Sequence, residues 1–127
     1  MPLPPWMRYA LFATAAMNIV AAAAFLPDAH ALRELAGFPA GGEPFYSVAL
    51  GVLVLIFGLG YLYAASTGHA DRQFIAVSAA GKLSFFGLLV GYWAAGALPL
   101  RAPLAGAGDL AFGVAFLFWL STVRAPS

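Results

Sequence analysis

The sequence predicts an all-α membrane protein in which four transmembrane helices form an antiparallel, up-down bundle. Three observations support this prediction: 63% of the 127 residues are hydrophobic, only 9% are charged, and the apolar residues fall into four long runs. A soluble domain typically carries about 25% charged residues. A chain this short with so few charges cannot cover itself with a polar surface. We therefore expect the lipid bilayer to be its solvent and the whole chain to form one membrane domain.

Each apolar run approaches the roughly 20 residues that a helix needs to cross about 30 Å of hydrocarbon. The runs are continuous rather than alternating, which favours helices over the strands of a membrane barrel. The expected transmembrane helices cover residues 6–26, 45–65, 74–98 and 104–123. Prolines mark their ends, because Pro27 closes the first run, Pro99 closes the third and Pro103 introduces the fourth.

One longer external loop, from Pro27 to Pro44, separates the first two transmembrane helices. Asp28 can cap a short helix within this loop, and Gly37 can end it. The sequence therefore predicts a short helix at the membrane interface, with an irregular loop as the alternative. The GFPAGGEP segment that follows is typical of turns.

The even number of spans places both termini and the loop between the second and third helices on one side of the membrane. That side carries Arg8, Arg72 and Arg124, whereas the other side carries Arg33 and Arg101. The positive-inside rule then favours cytoplasmic termini.

Aromatic residues near the ends of the runs predict a belt at each membrane interface. The belt on the side of the termini would contain Trp6, Tyr9, Tyr61, Tyr63 and Trp119, and the opposite belt Phe45, Tyr46, Tyr92 and Trp93.

Cleavage of the first helix as a signal peptide is the less favoured alternative. The first run is followed by Ala29-His30-Ala31, which resembles a signal-peptidase site. The run is, however, longer than the roughly 7–15 apolar residues of a signal peptide.

Three polar residues interrupt the apolar runs: Asn18 in the first, Lys82 in the third and Asp109 in the fourth. At a rise of about 1.5 Å per residue, all three fall into one layer, roughly 13–20 Å from the side of the termini. An ammonium group in hydrocarbon costs several kcal/mol unless it is paired or hydrated. We therefore expect an ion pair between Lys82 and Asp109, with Asn18 as a further hydrogen-bond partner. Thr14 and Ser78 lie one turn from Asn18 and Lys82 and can complete a polar cluster.

This cluster has a functional and a structural interpretation. Ionisable residues inside a membrane are functional candidates, here for a proton or small-solute relay or for binding the polar head of a lipophilic molecule. The structural alternative is a self-satisfied pair that fixes helix packing. A third alternative leaves Asp109 apart from Lys82, at the positive end of its own helix. The second helix offers only Val54 and other apolar side chains at this depth, so we expect it to close the site without a polar contact.

Small residues mark expected helix contacts. Gly87 and Gly91 form a GxxxG pattern with Ser84 one turn earlier, and Gly51 and Gly58 stand two turns apart on the second helix. Such patterns allow close packing in lipid. Packing within one monomer is favoured over a homodimer seam.

Several classes of function find no support in the sequence. The chain has no cysteine, which excludes disulfides, thiolate catalysis and cysteine-bound metals. His30 and His69 lie on opposite sides of the predicted bundle and cannot share a metal. The sequence lacks a phosphate loop, a nucleophile elbow and an HExxH motif, and its net charge of +1 gives no nucleic-acid signal. We therefore expect no cofactor, and an enzyme is disfavoured.

A series of short motifs extends from about Pro44 to Leu120. They are Gly58-Leu-Gly60-Tyr61, Ala64-Ala65, Arg72, Gly81-Lys82, Pro99, Asp109 and Phe116-Leu-Phe-Trp119. This part of the chain, about two thirds of its length, resembles small bacterial four-span inner-membrane proteins that are loosely DoxX-like. The resemblance implies a four-span fold and a bacterial inner membrane. DoxX is associated with sulfur and quinone redox chemistry, but no redox site of that kind occurs here, so the resemblance implies no activity.

The function that we expect is non-enzymatic. The chain would be an accessory subunit that contacts a membrane-protein partner, or it would bind a lipophilic small molecule within the bundle. The alternative is a proton-coupled transporter or conduit in which Lys82 and Asp109 titrate. Transporters often have internal repeats and broken helices. Here the prolines fall at helix ends and no repeat is visible, which makes transport the less favoured function.

Overall fold

The computed structural model describes residues 2–39 and 43–123. The helices in chain order are α1 (Pro5–Ala24), α2 (His30–Ala36), α3 (Pro44–Thr67), α4 (Arg72–Ala94), α5 (Arg101–Ala105) and α6 (Ala107–Thr122). These ranges contain no β-strand, only one isolated bridge between Pro2 and His69. The predicted all-α class is confirmed. Arg124 and the centre of the GFPAGGEP segment lie outside the described residues.

Three of the helices are long and apolar enough to cross a membrane. They are α1, α3 and α4, with 20, 24 and 23 residues. The fourth predicted span is divided: α5 begins at Arg101, Gly106 separates it from α6, and α6 has only 16 residues. Pro103 was expected to introduce this span but lies buried inside α5. A side chain at Gly106 would collide with Leu89 of α4, so the break coincides with a close approach between helices.

Local sequence explains most helix ends. Proline stands at the first position of α1 and α3, where its fixed φ suits a helix and its missing N–H costs nothing. Glycine follows α2 and α3, and both Gly37 and Gly68 have a φ of 75°, the left-handed region that favours glycine.

The short helix predicted in the external loop is confirmed as α2, and Gly37 ends it as expected. The predicted cap is wrong, because α2 starts two residues after Asp28 and its capping residue, Ala29, makes no side-chain bond. Asp71 instead caps α4, where its carboxylate accepts a hydrogen bond from the main-chain nitrogen of Gln73 at 3.2 Å.

The helices pack in two pairs, α1 along α3 and α4 along α6, and a smaller contact between α1 and α6 joins the pairs. The core between them contains Met7, Leu11, Ala15, Tyr61, Ile75, Phe116 and Trp119. In the described ranges, α3 and α4 are not among the closely packed pairs. They meet where the ring of Phe74 contacts Phe57 and Tyr61, with centroids 5.9 and 5.6 Å apart. Phe74 is the third residue of α4, and farther along α4, residues of both helices line a cavity.

The aromatic belts are only partly as predicted. Tyr61 and Trp119 are buried in the core, because their helix faces point toward the neighbouring helices. The other aromatic residues named for the two belts are exposed: Trp6, Tyr9, Tyr63, Phe45, Tyr46, Tyr92 and Trp93.

The small residues on α3 pack as predicted. A Cβ at Gly58 would lie 2.9 Å from the Cβ of Asn18, and one at Gly51 would lie 3.0 Å from the Cβ of Phe25. Glycine at these two positions therefore permits the close approach of α1 and α3.

The prediction that Ser84, Gly87 and Gly91 pack within the monomer is wrong. All three are exposed, and a Cβ at Gly87 or Gly91 would meet no described atom within 4 Å. The face of α4 that carries Lys82 and Leu89 packs inward, which turns the GxxxG face outward.

Every arginine in the described ranges donates to main-chain carbonyls at the end of another helix. The donor and acceptor sets are Arg8 with Ala65 and Ser66, Arg33 with Ala24, Leu26 and Pro27, Arg72 with Leu120 and Val123, and Arg101 with Glu34. The last carbonyls of a helix have no partner within it, and a cation near that end is favoured by the helix dipole. These bonds fasten α1, α2, α3 and α6 to their neighbours.

Replacing Arg33 with methionine should lower the free energy of unfolding by about 1.5–3 kcal/mol, the contribution of hydrogen bonds from a charged donor. Arg33 is buried, and its guanidinium lies 3.0 Å from the carbonyl oxygen of Ala24 and 2.7 Å from that of Leu26. The control is Arg101→Met, because Arg101 is exposed and donates to one carbonyl. Reversible unfolding in detergent should separate the two variants, and equal losses would contradict the assignment.

Candidate ligand-binding site

The predicted ion pair is present. The Nζ of Lys82 lies 3.1 Å from Oδ1 of Asp109 and donates to Oδ1 of Asn18 at 3.3 Å. Lys82 is 6% exposed and the Asp109 side chain 19%. The pairing of Lys82 with Asp109, and Asn18 as its further partner, are confirmed. The alternative that keeps Asp109 apart is wrong, although Asp109 does lie in the first turn of α6.

The close approach of α4 and α6 depends on a glycine near the pair. A Cβ at Gly113 of α6 would lie 2.7 Å from Cδ2 of Leu83 and 3.6 Å from the Cβ of Lys82. The break at Gly106 places Asp109 three residues into the last segment, in its first turn. There the partial positive charge of the helix end stabilises the carboxylate together with Lys82.

The expectation that α3 would make no polar contact is wrong. The Nδ2 of Asn18 donates to the main-chain oxygen of Val54 at 3.1 Å. In a helix the carbonyl of residue 54 lies beside the side chain of residue 58. Because residue 58 is glycine, this carbonyl stays accessible to Asn18.

Two aromatic rings that the sequence did not assign to the site also contact the ammonium group. The Nζ of Lys82 lies 5.1 Å from the ring centroid of Tyr61 and 5.8 Å from that of Phe112. Cations are attracted to ring faces at such distances. One sequence signal for Tyr61 exists, because it stands three residues after Gly58 and so shares its helix face.

Thr14 and Ser78 lie near the cluster but do not extend it. Both are buried, at 0% and 2% exposure. Neither hydroxyl makes a hydrogen bond of good geometry with a described residue, although Ser78 lies beside the hydroxyl of Tyr61. The two residues differ in surroundings: Ser78 lines a cavity, whereas Thr14 is not among the described residues that line it.

This cavity has a volume of about 470 Å³ and extends from the ion pair between α1, α3 and α4. Small-molecule sites in proteins typically enclose about 300–1,000 Å³. Its walls are largely apolar, with Leu53 and Phe57 from α3 and Phe85 from α4 among them. Of the described residues that line it, only Lys82 and Asp109 are acidic or basic.

The α2 segment covers one end of the cavity. Phe38, just after α2, stacks on Phe25, just after α1, and meets Phe85 of α4 edge-on, with centroids 6.3 and 6.2 Å apart. Leu32 and Ala36 of α2 also line the cavity. The bonds from Arg33 and Arg101 described above hold this cover in place.

The cavity opens sideways between α3 and α4. Leu53 of α3 and Val77 of α4 both line it, and each is more than half exposed, so the cavity is not closed on this side. The site is thus a largely apolar cavity that is open between α3 and α4. The α2 segment closes one end of it, and the ion pair of Lys82 and Asp109 lies in its wall.

No family model, curated protein or solved structure matches this chain. The resemblance to DoxX-like proteins therefore stays a prediction. Among the described residues, no group of three or more histidine, aspartate or glutamate side chains could hold a metal ion.

Proposed function

We propose that this chain is an integral membrane protein that binds a lipophilic small molecule in the cavity beside Lys82 and Asp109. The observation that carries the proposal is the combination of apolar walls with a single polar cluster, the usual make-up of a small-molecule site. The side opening between α3 and α4 would let such a molecule enter from the hydrocarbon of the bilayer.

We also propose that the chain crosses the membrane four times, through α1, α3, α4 and a last span made of α5 and α6 together. Neighbouring spans would run in opposite directions. Contacts support the opposite directions of α1 and α3, because the main-chain nitrogen of Leu3 donates to the oxygen of Gly68 at 2.9 Å. Arg72, at the start of α4, likewise bonds Leu120 near the end of α6. We further propose that the protein lies in a bacterial inner membrane, because of the family resemblance. Its termini would be cytoplasmic, because the side that carries them has the larger number of arginines.

The test uses two glycines of α4. Gly81 lines the cavity, and a Cβ there meets no described atom within 4 Å, so Gly81→Phe should occupy the cavity without moving packed helices. Gly87 also meets no described atom within 4 Å and is not among the described lining residues, so Gly87→Phe is the matched control.

Each protein is incubated with hexadecane, hexadecanol, hexadecanoate and hexadecylammonium, and native mass spectrometry measures the occupancy of each compound. At least one compound should bind to the unsubstituted protein and to Gly87→Phe, and its affinity should fall about tenfold or more in Gly81→Phe, a change of about 1.4 kcal/mol. Equal binding by all three proteins, or none by any, would overturn the proposal.

Proton-coupled transport is the second candidate, and one observation favours it. The last span is broken at Gly106, three residues before Asp109, and discontinuous helices often mark the substrate sites of transporters. The sequence suggested unbroken helices, so the break removes one argument against transport. Proton flux into liposomes that disappears in Asp109→Asn would favour this candidate over simple binding.

A role as an accessory subunit or a homodimer also stays a proposal. The exposed face of α4 with Ser84, Gly87 and Gly91 could approach another helix closely. This face is distinct from the cavity, so such a contact is compatible with ligand binding.

A further inference from the structure

We infer that the cavity selects an uncharged lipid whose polar head is a hydroxyl group. The inference rests on the proposed function, because it assigns a chemical class to the ligand of the same cavity. It depends on which polar groups of the site are already bonded and which are free to meet a ligand.

The charges that line the cavity already balance. Among the described lining residues, Lys82 is the one basic residue and Asp109 the one acidic residue. The Nζ of Lys82 lies 3.1 Å from Oδ1 of Asp109. A charged head group would bring a further ion into an apolar chamber with no opposite charge left to pair with it. Burying an unpaired ion is strongly unfavourable. The arrangement therefore favours an uncharged head group.

The ammonium group of Lys82 has little capacity left for a ligand. It carries three N–H donors, and it donates to Asp109 and to Asn18. Its surroundings also include the rings of Tyr61 and Phe112. Lys82 therefore serves to hold the Asp109 carboxylate in the cavity wall rather than to attract an anion.

Two polar atoms of the cavity wall carry the assignment of the head group. Only Oδ1 of Asp109 contacts Lys82, so Oδ2 can accept a hydrogen bond, and the side chain is partly exposed to the cavity. The hydroxyl of Ser78 lines the same cavity and is nearly fully buried; it lies beside the hydroxyl of Tyr61 but makes no hydrogen bond of good geometry with a described residue, so it has capacity left for a ligand. A carboxylate accepts only, whereas a serine hydroxyl both donates and accepts.

A hydroxyl head fits these two atoms better than the other common heads do. It can donate to Asp109 and either donate to or accept from Ser78. A ketone or ester has no donor for Asp109, a carboxylate or phosphate is repelled by it, and a plain hydrocarbon satisfies neither atom.

The first test is a competition in native mass spectrometry among hexadecane, hexadecanol, hexadecanoate and hexadecylammonium at equal concentration. Hexadecanol should occupy the protein about tenfold more than any of the others. Comparable or greater binding of one of the other three compounds would overturn the inference. The proposed function would still stand if that binding is lost in Gly81→Phe. If none of the compounds binds in a way that depends on Gly81, the proposed function and the inference are both overturned.

The second test compares Ser78→Ala with Thr14→Val. Neither hydroxyl makes a hydrogen bond of good geometry with a described residue, so both variants should fold, which thermal unfolding in detergent will verify. Ser78→Ala should weaken hexadecanol binding about 3- to 10-fold, the loss expected for one hydrogen bond, and should leave hexadecane binding unchanged. Thr14→Val should change neither, because Thr14 is not among the described lining residues. Equal hexadecanol affinity in the two variants would overturn the role of Ser78 and, with it, the inferred head group.

Discussion

Lys82→Met is expected to lower the free energy of unfolding by about 3–5 kcal/mol, the usual cost of removing one partner of a buried ion pair. In the unsubstituted protein the Nζ of Lys82 lies 3.1 Å from Oδ1 of Asp109. The loss arises because the variant removes this ammonium group and leaves the largely buried carboxylate of Asp109 without a partner. Asp109→Asn should cost a similar amount, since Lys82 is the more deeply buried of the two. The double variant should be more stable than either single variant, because it leaves no unpaired charge.

Reversible unfolding of the four proteins in detergent forms a double-mutant cycle and measures the coupling between the two side chains. Glu34→Gln is the control, because it removes an exposed carboxylate and should change stability by no more than about 0.5 kcal/mol. Additive losses would mean that the two residues do not stabilise each other. Small losses in all variants would instead indicate that the pair is retained for what it binds.

Gly58→Leu should produce the second large effect, near the upper end of the roughly 1–3 kcal/mol that overpacking costs. A Cβ at this position would lie 2.9 Å from the Cβ of Asn18 and 3.5 Å from the main-chain oxygen of Ala15. Helix α1 would have to move away from α3. The leucine would also cover the carbonyl of Val54, so Asn18 would lose its acceptor.

Gly87→Leu is the matched control for this substitution, because it makes the same change on a helix face where a Cβ meets no described atom within 4 Å. In the monomer it should be neutral or stabilising by up to about 1 kcal/mol, since leucine favours the helix over glycine. Equal destabilisation at both positions would contradict the packing of α1 on α3. A loss at Gly87 that depends on protein concentration would instead reveal a homodimer.

The starts of α1 and α3 were predictable because they depend on local properties of the chain, whereas α4 ends at Ala94, four residues before its predicted end. Continuous apolar runs and terminal prolines placed the starts of α1 and α3 within one residue, at Pro5 and Pro44. The break before α6 was not predictable in this way. The apolar run continues through Gly106 without a proline, and the close approach of Leu89 belongs to the tertiary structure.

The centre of the site was predictable because burying an unpaired ion is so costly that Lys82 had to find Asp109 at a similar depth. The contact with Val54 was not, since every residue has a main-chain carbonyl and sequence does not show which one is free. The exposed Gly87 shows the same limit. A GxxxG pattern indicates that a helix can be approached closely, but not which helix approaches it.

The shortness of α6 has a consequence for how the chain crosses the bilayer. Its 16 residues extend about 24 Å, against roughly 30 Å of hydrocarbon in a typical bilayer. In the proposed arrangement α5 supplies the remaining length of the last span, because each ångström of mismatch between a span and the bilayer costs a fraction of a kcal/mol. Helix α6 alone would thus match a thin bilayer, whereas a bilayer of typical thickness is spanned only when α5 and α6 both lie within it.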